Sequence, residues 1–347
     1  MLLLEAVKVL TLSVLGFIVA FAVTPFISKI LNRFGAAKQI RMTGATPIYS
    51  ELHAKKAGTP TMGGVVIWGT VVLLAVIFAI MAMIFDGAWE YLNFIDRAQT
   101  YLPLTAMVIA GVLGLIDDIY GVMKVGPSGG GLRVSQKLVI YFLLAVIGAF
   151  WFYYRLDWDV LAIPFGDPIS IGWLYIPLFI FVIVASAFSA NETDGLDGLA
   201  GGVLLFAFLA LTVVAFVLGR YELAAFGGVT IGALLAFLWF NIHPARFFMG
   251  DTGSMSLGIT MGVIAMLTNT TLLLPFFAFI LVLESLSVIV QMISKKVRGK
   301  KIFLSTPIHH HFEAIGWPET KVTMRFWIIS AISATLGLVI FFLSRYI

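Results

Sequence analysis

The chain has no cysteine and little charge, and both absences narrow what it can be. Without cysteine it forms no disulfide and offers no thiol chemistry. Charged residues make up 12% of its 347 residues, and hydrophobic residues make up 61%. The mean hydropathy is +1.04. Because soluble globular domains carry about 25% charged residues, this composition indicates an integral membrane protein.

Ten apolar stretches approach the length of about 20 residues that a helix needs to cross a bilayer. They are continuous rather than alternating, which predicts helices. The weakest boundaries belong to the third stretch, which ends in two aspartates, and to the TNTT junction at 268–271, so nine or eleven spans are the alternatives. We therefore expect an all-α polytopic integral membrane protein with one transmembrane domain over residues 1–347. The stretches begin near Ala6, Met62, Tyr101, Lys137, Gly172, Leu196, Ala224, Ser254, Leu272 and Thr323.

Lysine and arginine are distributed unevenly between alternate predicted loops. One side of the membrane receives 17 of the 22, and the positive-inside rule makes that side cytoplasmic. Ten spans then place both termini on the extracytoplasmic side. The same bias explains the pI of about 9.2, so membrane lipids, and no nucleic acid, are the expected partners of this basic surface. The predicted cytoplasmic loops are 31–61, 119–136, 191–197, 241–253 and 295–321.

The densest polar motifs all lie on the predicted cytoplasmic side. Helix ends that bring Gly, Asp, Asn and His to one face predict a composite active site there. A transporter, the alternative from another class, needs polar groups that continue outward, and the outer halves show no such run. The motifs are HAKKAGTPTMGG (53–64), GLIDDIYG (114–121), NETDGLDGLAGG (191–202), NIHPARFFMGDTGS (241–254) and STPIHHHFE (305–313).

Five aspartates in these motifs are the main candidates for chemistry. Asp117 and Asp118 end an apolar run, where two carboxylates need a cation, a lysine or a raised pKa to be buried together. Asp194 and Asp197 are three residues apart at the start of a span and share a face. Asp251 also begins a span, where a helix N-cap is the alternative to a functional role.

For the basic and aromatic candidate site residues, ordinary structural roles are the alternative to a function. Lys55 and Lys56 precede GTPTMGG, where ordinary membrane anchoring would account for both lysines. Phe248 either stacks on a base or packs in the core. The consecutive His309, His310 and His311 cannot all face one zinc ion in regular structure, so hydrogen bonding to phosphate or sugar oxygens is the preferred hypothesis.

A polar stripe crosses the ninth predicted span. Glu284, Ser287 and Gln291 recur on one helix face. We expect Glu284 to make structural hydrogen bonds between helices, whereas Gln291, nearer the cytoplasmic end, is a candidate for the site.

Together these residue types suit phosphoryl transfer at a membrane surface. Carboxylates are the oxygen ligands that Mg²⁺ prefers, commonly one or two of them together with substrate phosphates. Lysine and histidine supply positive charge, and glycine-rich helix starts supply N–H donors. None of the soluble phosphate-binding fingerprints is present, since the sequence has no Walker A motif and no strand-associated dinucleotide motif.

The five motifs, with VLESLSVIVQ (282–291), resemble those of the bacterial phospho-N-acetylmuramoyl-pentapeptide transferase family, within the polyprenyl-phosphate N-acetylhexosamine-1-phosphate transferase superfamily. The resemblance runs from Lys38 to the last span. It implies ten transmembrane helices in the bacterial inner membrane, a cytoplasmic Mg²⁺ site and a homodimer. It also implies transfer of phospho-MurNAc-pentapeptide from UDP-MurNAc-pentapeptide to undecaprenyl phosphate, which yields lipid I and UMP. The alternative within the superfamily is a GlcNAc-1-phosphate transferase.

The resemblance also assigns residues. Asp251 would be the principal Mg²⁺ ligand, and Asp117 and Asp118 would be the catalytic pair and further candidate ligands. Lys55 is an alternative to Lys56, and Lys137 follows a glycine-rich stretch. The implied substrate contacts are Lys56, Thr61, Lys137, Asn191, Asp194, Asp197, Asn241, Phe248, Gly250, Ser254, Gln291, His309, His310 and His311.

Two mechanisms agree with these residues. In one, Asp117 takes the proton of undecaprenyl phosphate, which attacks the β-phosphorus directly. In the other, an aspartate attacks first and forms an acyl-phosphate. We favour direct attack, because a phosphate monoester is already a competent nucleophile.

Overall fold

The computed structural model describes residues 2–36, 56, 58–96, 99–126 and 130–346, so the alternative Lys55 lies outside the described residues. The apolar runs form helices, which satisfy their own backbone hydrogen bonds as a bilayer requires. The long helices are α1 (Leu2–Arg33), α2 (Val65–Ile84), α4 (Tyr101–Val122), α5 (Val134–Arg155), α6 (Tyr175–Thr193), α7 (Leu199–Val217), α8 (Tyr221–Asn241), α9 (Gly250–Leu267), α11 (Phe279–Arg298) and α13 (Glu319–Tyr346).

Among the described residues, three short helices, two 3-10 turns and one pair of strands lie between the long helices. The shorter helices are α3 (Ala88–Leu92), α10 (Leu274–Phe277) and α12 (Ile308–Ala314), with single 3-10 turns at Gly172–Leu174 and Thr271–Leu273. Strands β1 (Val160–Leu161) and β2 (Ile169–Ser170) form a small antiparallel pair between α5 and α6, with Val160 opposite Ser170.

Eight helices in the described part of the chain are long and apolar enough to cross a membrane. Helices α10 and α11, which are bent by 89°, supply a ninth if they count as one span. Helix α9, which corresponds to the span predicted from Ser254, is not among the eight. It contains Asp251 and four glycines and is buried almost throughout, so it contacts protein rather than lipid. An all-α polytopic membrane protein is confirmed, while ten spans and extracytoplasmic termini stay predictions.

Among the eight candidate spans of the described residues, helix α8 has the largest buried share, and it packs against α1, α2 and α7. Its contact with α1 depends on two glycines one turn apart. A methyl group added to Gly228 would lie 2.8 Å from the Val9 carbonyl oxygen, and one on Gly232 would lie 2.0 Å from that of Ser13. Small residues at this spacing let two helix backbones touch, which is how membrane helices associate without a hydrophobic driving force.

Helix α9 lies between α4 and α6 and is joined to α4 by hydroxyl groups. Thr252 Oγ1 donates to the Gly111 carbonyl oxygen at 2.7 Å, and Ser256 Oγ donates to that of Met107 at 2.9 Å. Helices α4, α6 and α8 therefore end, and α5, α7 and α9 begin, at one end of the bundle. We call it the site end, because the polar motifs of the sequence meet there.

Candidate active site

Lys137 joins two of the predicted aspartates. It lies in the first turn of α5, and its Nζ is 2.9 Å from Asp117 Oδ2 and 2.5 Å from Asp251 Oδ2. Asp117 Oδ1 accepts a hydrogen bond from the backbone N–H of Leu132 at 2.5 Å. The segment after the glycine-rich stretch thus supplies both an ammonium and an amide to Asp117. A substrate contact from Lys137 stays a prediction.

Asp118 faces the start of α9 instead of Lys137. Its Oδ2 accepts the backbone N–H of Thr252 at 3.0 Å, and Thr61 Oγ1 lies 3.4 Å from Oδ1. A free N–H at a helix start is a ready partner for a carboxylate. Gly250 adopts φ +75°, and a methyl group there would lie 2.5 Å from Asp118 Oδ2. Only glycine therefore fits at position 250, between the side chains of Asp118 and Thr61.

Asn191, at the end of α6, completes the surroundings of Asp251. Its Nδ2 donates to Asp251 Oδ1 and, at 3.0 Å, to Ser254 Oγ. We call Asp117, Asp118, Asp251 and Lys137 the aspartate cluster. Helices α4, α5, α6 and α9 all contribute to its contacts, so the cluster is assembled from several helix ends.

The charge of the aspartate cluster suits a divalent cation. Three carboxylates against one ammonium leave two negative charges in excess, and buried excess charge must be neutralised by a cation or by protonation. Asp117 and Asp251 lie within reach of one ion, since both contact the same Nζ atom. One or two carboxylates is the usual protein contribution to a Mg²⁺ site. The residues present therefore fit Mg²⁺.

A second charged cluster surrounds Lys56. Its Nζ lies 2.7 Å from Asp197 Oδ1 and also contacts Glu319 at the start of α13. Glu319 Oε1 accepts the backbone N–H of Asp197 at 2.6 Å, and His243 Nδ1 lies 3.0 Å from Asp197 Oδ2. Burial raises the pKa of Asp197, but Lys56, the Ala245 amide and His243 together lower it below 3.8. Asp197 is therefore ionised at neutral pH, and its ion pairs weaken only as pH falls through this lowered pKa.

Candidate ligand atoms of Asp197, His243 and Glu319 lie within 4.8 Å of one another. The Lys56 ammonium, however, already contacts Asp197 and Glu319. We therefore interpret this group as an ion-pair cluster, the Lys56 cluster, rather than as a second metal centre.

Phe248 lies beside the Lys56 cluster. Its ring centre is 5.8 Å from Lys56 Nζ. Its backbone pairs with the loop before α2: its N–H donates to the Pro60 carbonyl, and its carbonyl accepts from Gly63, both at 2.8 Å. Phe247 is fully buried, whereas the ring of Phe248 is only partly so. Core packing is thus the role of Phe247, and base stacking by Phe248 stays a prediction.

Two residues that the sequence predicts to contact the substrate, Asp194 and Asn241, form hydrogen bonds with backbone groups in this structure. Asp194 Oδ2 accepts the N–H of Gly250 at 3.0 Å. Asn241 Oδ1 accepts the N–H of Gly198 at 3.0 Å, and its Nδ2 donates to the Phe247 carbonyl at 2.8 Å. Both side chains therefore position the loops that carry the site.

The three histidines face different ways. His309 is fully buried, with Nδ1 2.9 Å from Glu284 Oε2, which agrees with the interhelical role expected for Glu284. His310 Nδ1 lies 2.7 Å from Glu313, and His311 Nδ1 accepts the N–H of Leu304 at 3.3 Å. Among the described residues, the three histidines do not form a group of candidate metal ligands.

Gln291 binds the segment that follows α11. Its Oε1 accepts the N–H groups of Ile302 and Phe303, and its Nε2 donates to the Phe303 carbonyl at 2.8 Å. No hydrogen bond within the described residues joins Gln291 to the aspartate cluster. A substrate contact from Gln291 stays a prediction.

The Glu284→Gln variant should lose stability in a pH-dependent way. Burial lowers the pKa of His309, but Glu284, with smaller contributions from Glu313 and Glu192, raises it above its ordinary value of 6.5. The raised pKa means that the pair stabilises the fold fully below pH 6.5 and loses this contribution as pH rises through the folded-state pKa. Leaving His309 charged and unpaired costs about 3 kcal/mol.

Thermal unfolding in detergent measures the effect of this variant. The Tm difference between wild type and Glu284→Gln should be larger at about pH 6 than at about pH 9. Glu90→Gln, at an exposed position in α3, is the matched control and should show no such dependence. An equal Tm difference at both pH values would contradict the charged pair.

Sequence reasoning missed two members of the Lys56 cluster. His243 stands inside NIHPARF, so its place in a polar motif was the signal that could have found it. Glu319 belongs to none of the predicted motifs. Its role depends on α13 beginning beside the loop between α6 and α7, a long-range contact that no local pattern reports.

Comparisons with known proteins agree with this geometry. Residues 100–269 match the family described as Glycosyl transferase family 4, and residues 56–67 match signature 1 of phospho-N-acetylmuramoyl-pentapeptide-transferase. Similar curated proteins carry that same name. The one from Anoxybacillus flavithermus is 39% identical over 94% of this chain and 95% of its own length. The one from Bacillus subtilis is 37% identical over 97% and 98%.

The signature contains Lys56 and Thr61, and the Glycosyl transferase family 4 match contains the three aspartates and Lys137. Identity above 30% over nearly the whole of both chains is sufficient to assign a family. The chain is a member of the phospho-N-acetylmuramoyl-pentapeptide-transferase family.

Proposed function

We propose that the protein transfers phospho-MurNAc-pentapeptide from UDP-MurNAc-pentapeptide to undecaprenyl phosphate, and that lipid I and UMP are the products. The observation that carries the proposal is the aspartate cluster, in which Lys137 links Asp117 and Asp251 at the site end of the bundle. A site at helix ends can meet a soluble nucleotide and a lipid phosphate together. The names of the relatives supply the substrate class. We also propose the bacterial cytoplasmic membrane as its location and a homodimer as its assembly.

Direct attack is the mechanism that we propose. A phosphate oxygen of undecaprenyl phosphate forms a bond to the β-phosphorus of the nucleotide sugar. The bond between that phosphorus and the bridging oxygen breaks, and UMP leaves with the electron pair. Asp117 accepts the proton of the attacking phosphate where that phosphate is protonated.

We propose a positioning role and an electrostatic role for Lys137. It keeps Asp117 and Asp251 in place, and its ammonium offsets negative charge that develops on the diphosphate. Asp251, with Asp117 or Asp118, would hold Mg²⁺ beside the diphosphate. When bound, the ion supplies Lewis-acid stabilisation of the phosphate oxygens.

The Lys56 cluster would bind the nucleotide end. Phe248 offers a ring face to the base, and the Lys56 ammonium lies 5.8 Å from the centre of that ring. Stacking of a base on an aromatic ring is worth about 1–3 kcal/mol. Asp197 and Glu319 hold Lys56 in place, so little side-chain entropy remains to be lost on binding.

Release of UMP tests this function. Purified protein with Mg²⁺ and undecaprenyl phosphate should release UMP from UDP-MurNAc-pentapeptide, and omission of the lipid phosphate should stop the release. Robust release from UDP-GlcNAc, with none from the muramoyl substrate, would instead identify a GlcNAc-1-phosphate transferase. Uptake of the nucleotide sugar into vesicles without UMP would favour a transporter.

A further inference from the structure

A cavity of about 360 Å³ opens between the end of α1 and the segment after α8. Helix α1 contributes Thr24, Ser28, Lys29 and Asn32 to its wall. Phe240 and Arg246 line the opposite side. None of these residues belongs to the aspartate cluster or to the Lys56 cluster.

The cavity is positively charged. Lys29 and Arg246 both line it, and no carboxylate does so among the described residues. Neither cation forms an ion pair or a side-chain hydrogen bond within the described part of the chain. The guanidinium carbon of Arg246 lies 5.4 Å from the ring centre of Phe240, so this cation–π contact orients the guanidinium. Two cations with hydroxyl and amide groups nearby suit a phosphate.

Apolar surface on both helices lies next to this charged cavity. Phe26 of α1 is 67% exposed, as is Trp239 of α8, and Ile242 is 42% exposed. Exposed tryptophan and phenylalanine of a membrane protein commonly lie at the headgroup level or against acyl chains. The cavity is at the site end, which topology predicts to be cytoplasmic, where anionic lipids gather.

We propose that this cavity binds the phosphate headgroup of an anionic phospholipid, whose acyl chains lie along the exposed faces of α1 and α8. Basic pockets between transmembrane helices on the cytoplasmic side are a recognised form of lipid headgroup site. A soluble phosphate shares the headgroup chemistry but gains nothing from the neighbouring apolar surface. The lipid is therefore the favoured source of the phosphate.

The site adjoins the nucleotide end of the active site through one short segment. Arg246 follows Ala245, whose N–H donates to Asp197 Oδ2 at 3.1 Å. The N–H of Arg246 itself donates to the Phe240 carbonyl at 2.9 Å. A bound headgroup would therefore restrain the segment that ends at Phe248.

Lipid binding to the purified protein tests the proposal. Binding of phosphatidylglycerol, measured by native mass spectrometry and by the rise in Tm over phosphatidylcholine, should be saturable in wild type. Each cation near a headgroup contributes about fivefold in affinity, so Lys29→Gln with Arg246→Gln should weaken binding about 30-fold. The single variant Lys29→Gln, at an exposed position, should weaken it about fivefold and covers the case in which the double variant does not fold.

Lys295→Gln with Lys296→Gln is the matched control, since both residues are exposed at the end of α11 and outside the cavity. It removes the same charge and should leave phosphatidylglycerol binding unchanged. If the control lost as much phosphatidylglycerol affinity as the cavity variants, general surface charge would explain the binding, and the proposed site would be wrong. A Tm rise with inorganic phosphate equal to that with the lipid would overturn the lipid assignment. Preferential binding of undecaprenyl phosphate at the same residues would assign the site to the substrate lipid instead.

Discussion

Asp117→Asn is expected to abolish turnover while leaving UDP-sugar binding largely intact. General acid–base catalysis is worth about 10²–10⁴-fold in rate, and the amide cannot accept the proton of the lipid phosphate. The side chain keeps its shape, so an oxygen remains for the Leu132 N–H that now donates to Asp117 Oδ1 at 2.5 Å. The loss should therefore appear in kcat for UMP release rather than in KM for the nucleotide sugar.

Equilibrium binding of the UDP-sugar separates these two effects. Asp117→Asn should bind it nearly as wild type does, because the proposed nucleotide contacts, Lys56 and Phe248, are elsewhere in the site. Asp159→Asn is the control, since Asp159 accepts a hydrogen bond from Ser170 of β2 and follows the end of α5, whereas Lys137 of the aspartate cluster lies in the first turn of that helix. Near-normal lipid I formation by Asp117→Asn would exclude Asp117 as the base.

Gly250→Ala is expected to reduce activity about 100-fold or more. The added methyl group would lie 2.5 Å from Asp118 Oδ2 and 2.7 Å from Thr61 Oγ1. Asp118 is held by the N–H of Thr252 at 3.0 Å, so it cannot move without losing that bond. Misplacement of a catalytic group by about 1 Å costs on the order of 100-fold in rate. The backbone of Gly250, at φ +75°, adds about 1–2 kcal/mol of strain for alanine.

Gly299→Ala separates the backbone cost from the clash. Gly299 also has a left-handed backbone, at φ +65°, but a methyl group there meets nothing within 4 Å. Both variants should therefore lose a similar amount of Tm from backbone strain, and only Gly250→Ala should lose catalysis. Equal activity of the two variants would show that Asp118 tolerates the displacement.

Much of this architecture could be predicted from the amino-acid sequence, and the reason is physical. The period and length of apolar runs, and the bias of Lys and Arg between loops, are local properties that report helices and a membrane directly. The exception is α9. Its glycines and Asp251 are tolerated because it is surrounded by other helices, and burial is not visible in a local pattern.

Only part of the candidate site could likewise be predicted from the sequence. The aspartates were predictable because carboxylates at a membrane boundary are costly without a function. Their partners were not. The sequence did not show that Asn241 and Gln291 would bind backbone, or that Glu319 would pair with Lys56.

The sequence by itself therefore determined the class of protein and the family, and it predicted the end of the bundle at which the polar motifs meet. Tertiary structure decided which charges meet. Lys137 and Asp251 are 114 positions apart, and Lys56 and Asp197 are 141 apart. Pairs at such separations are set by helix packing, and the free energy of a buried charge depends on the partner that packing provides.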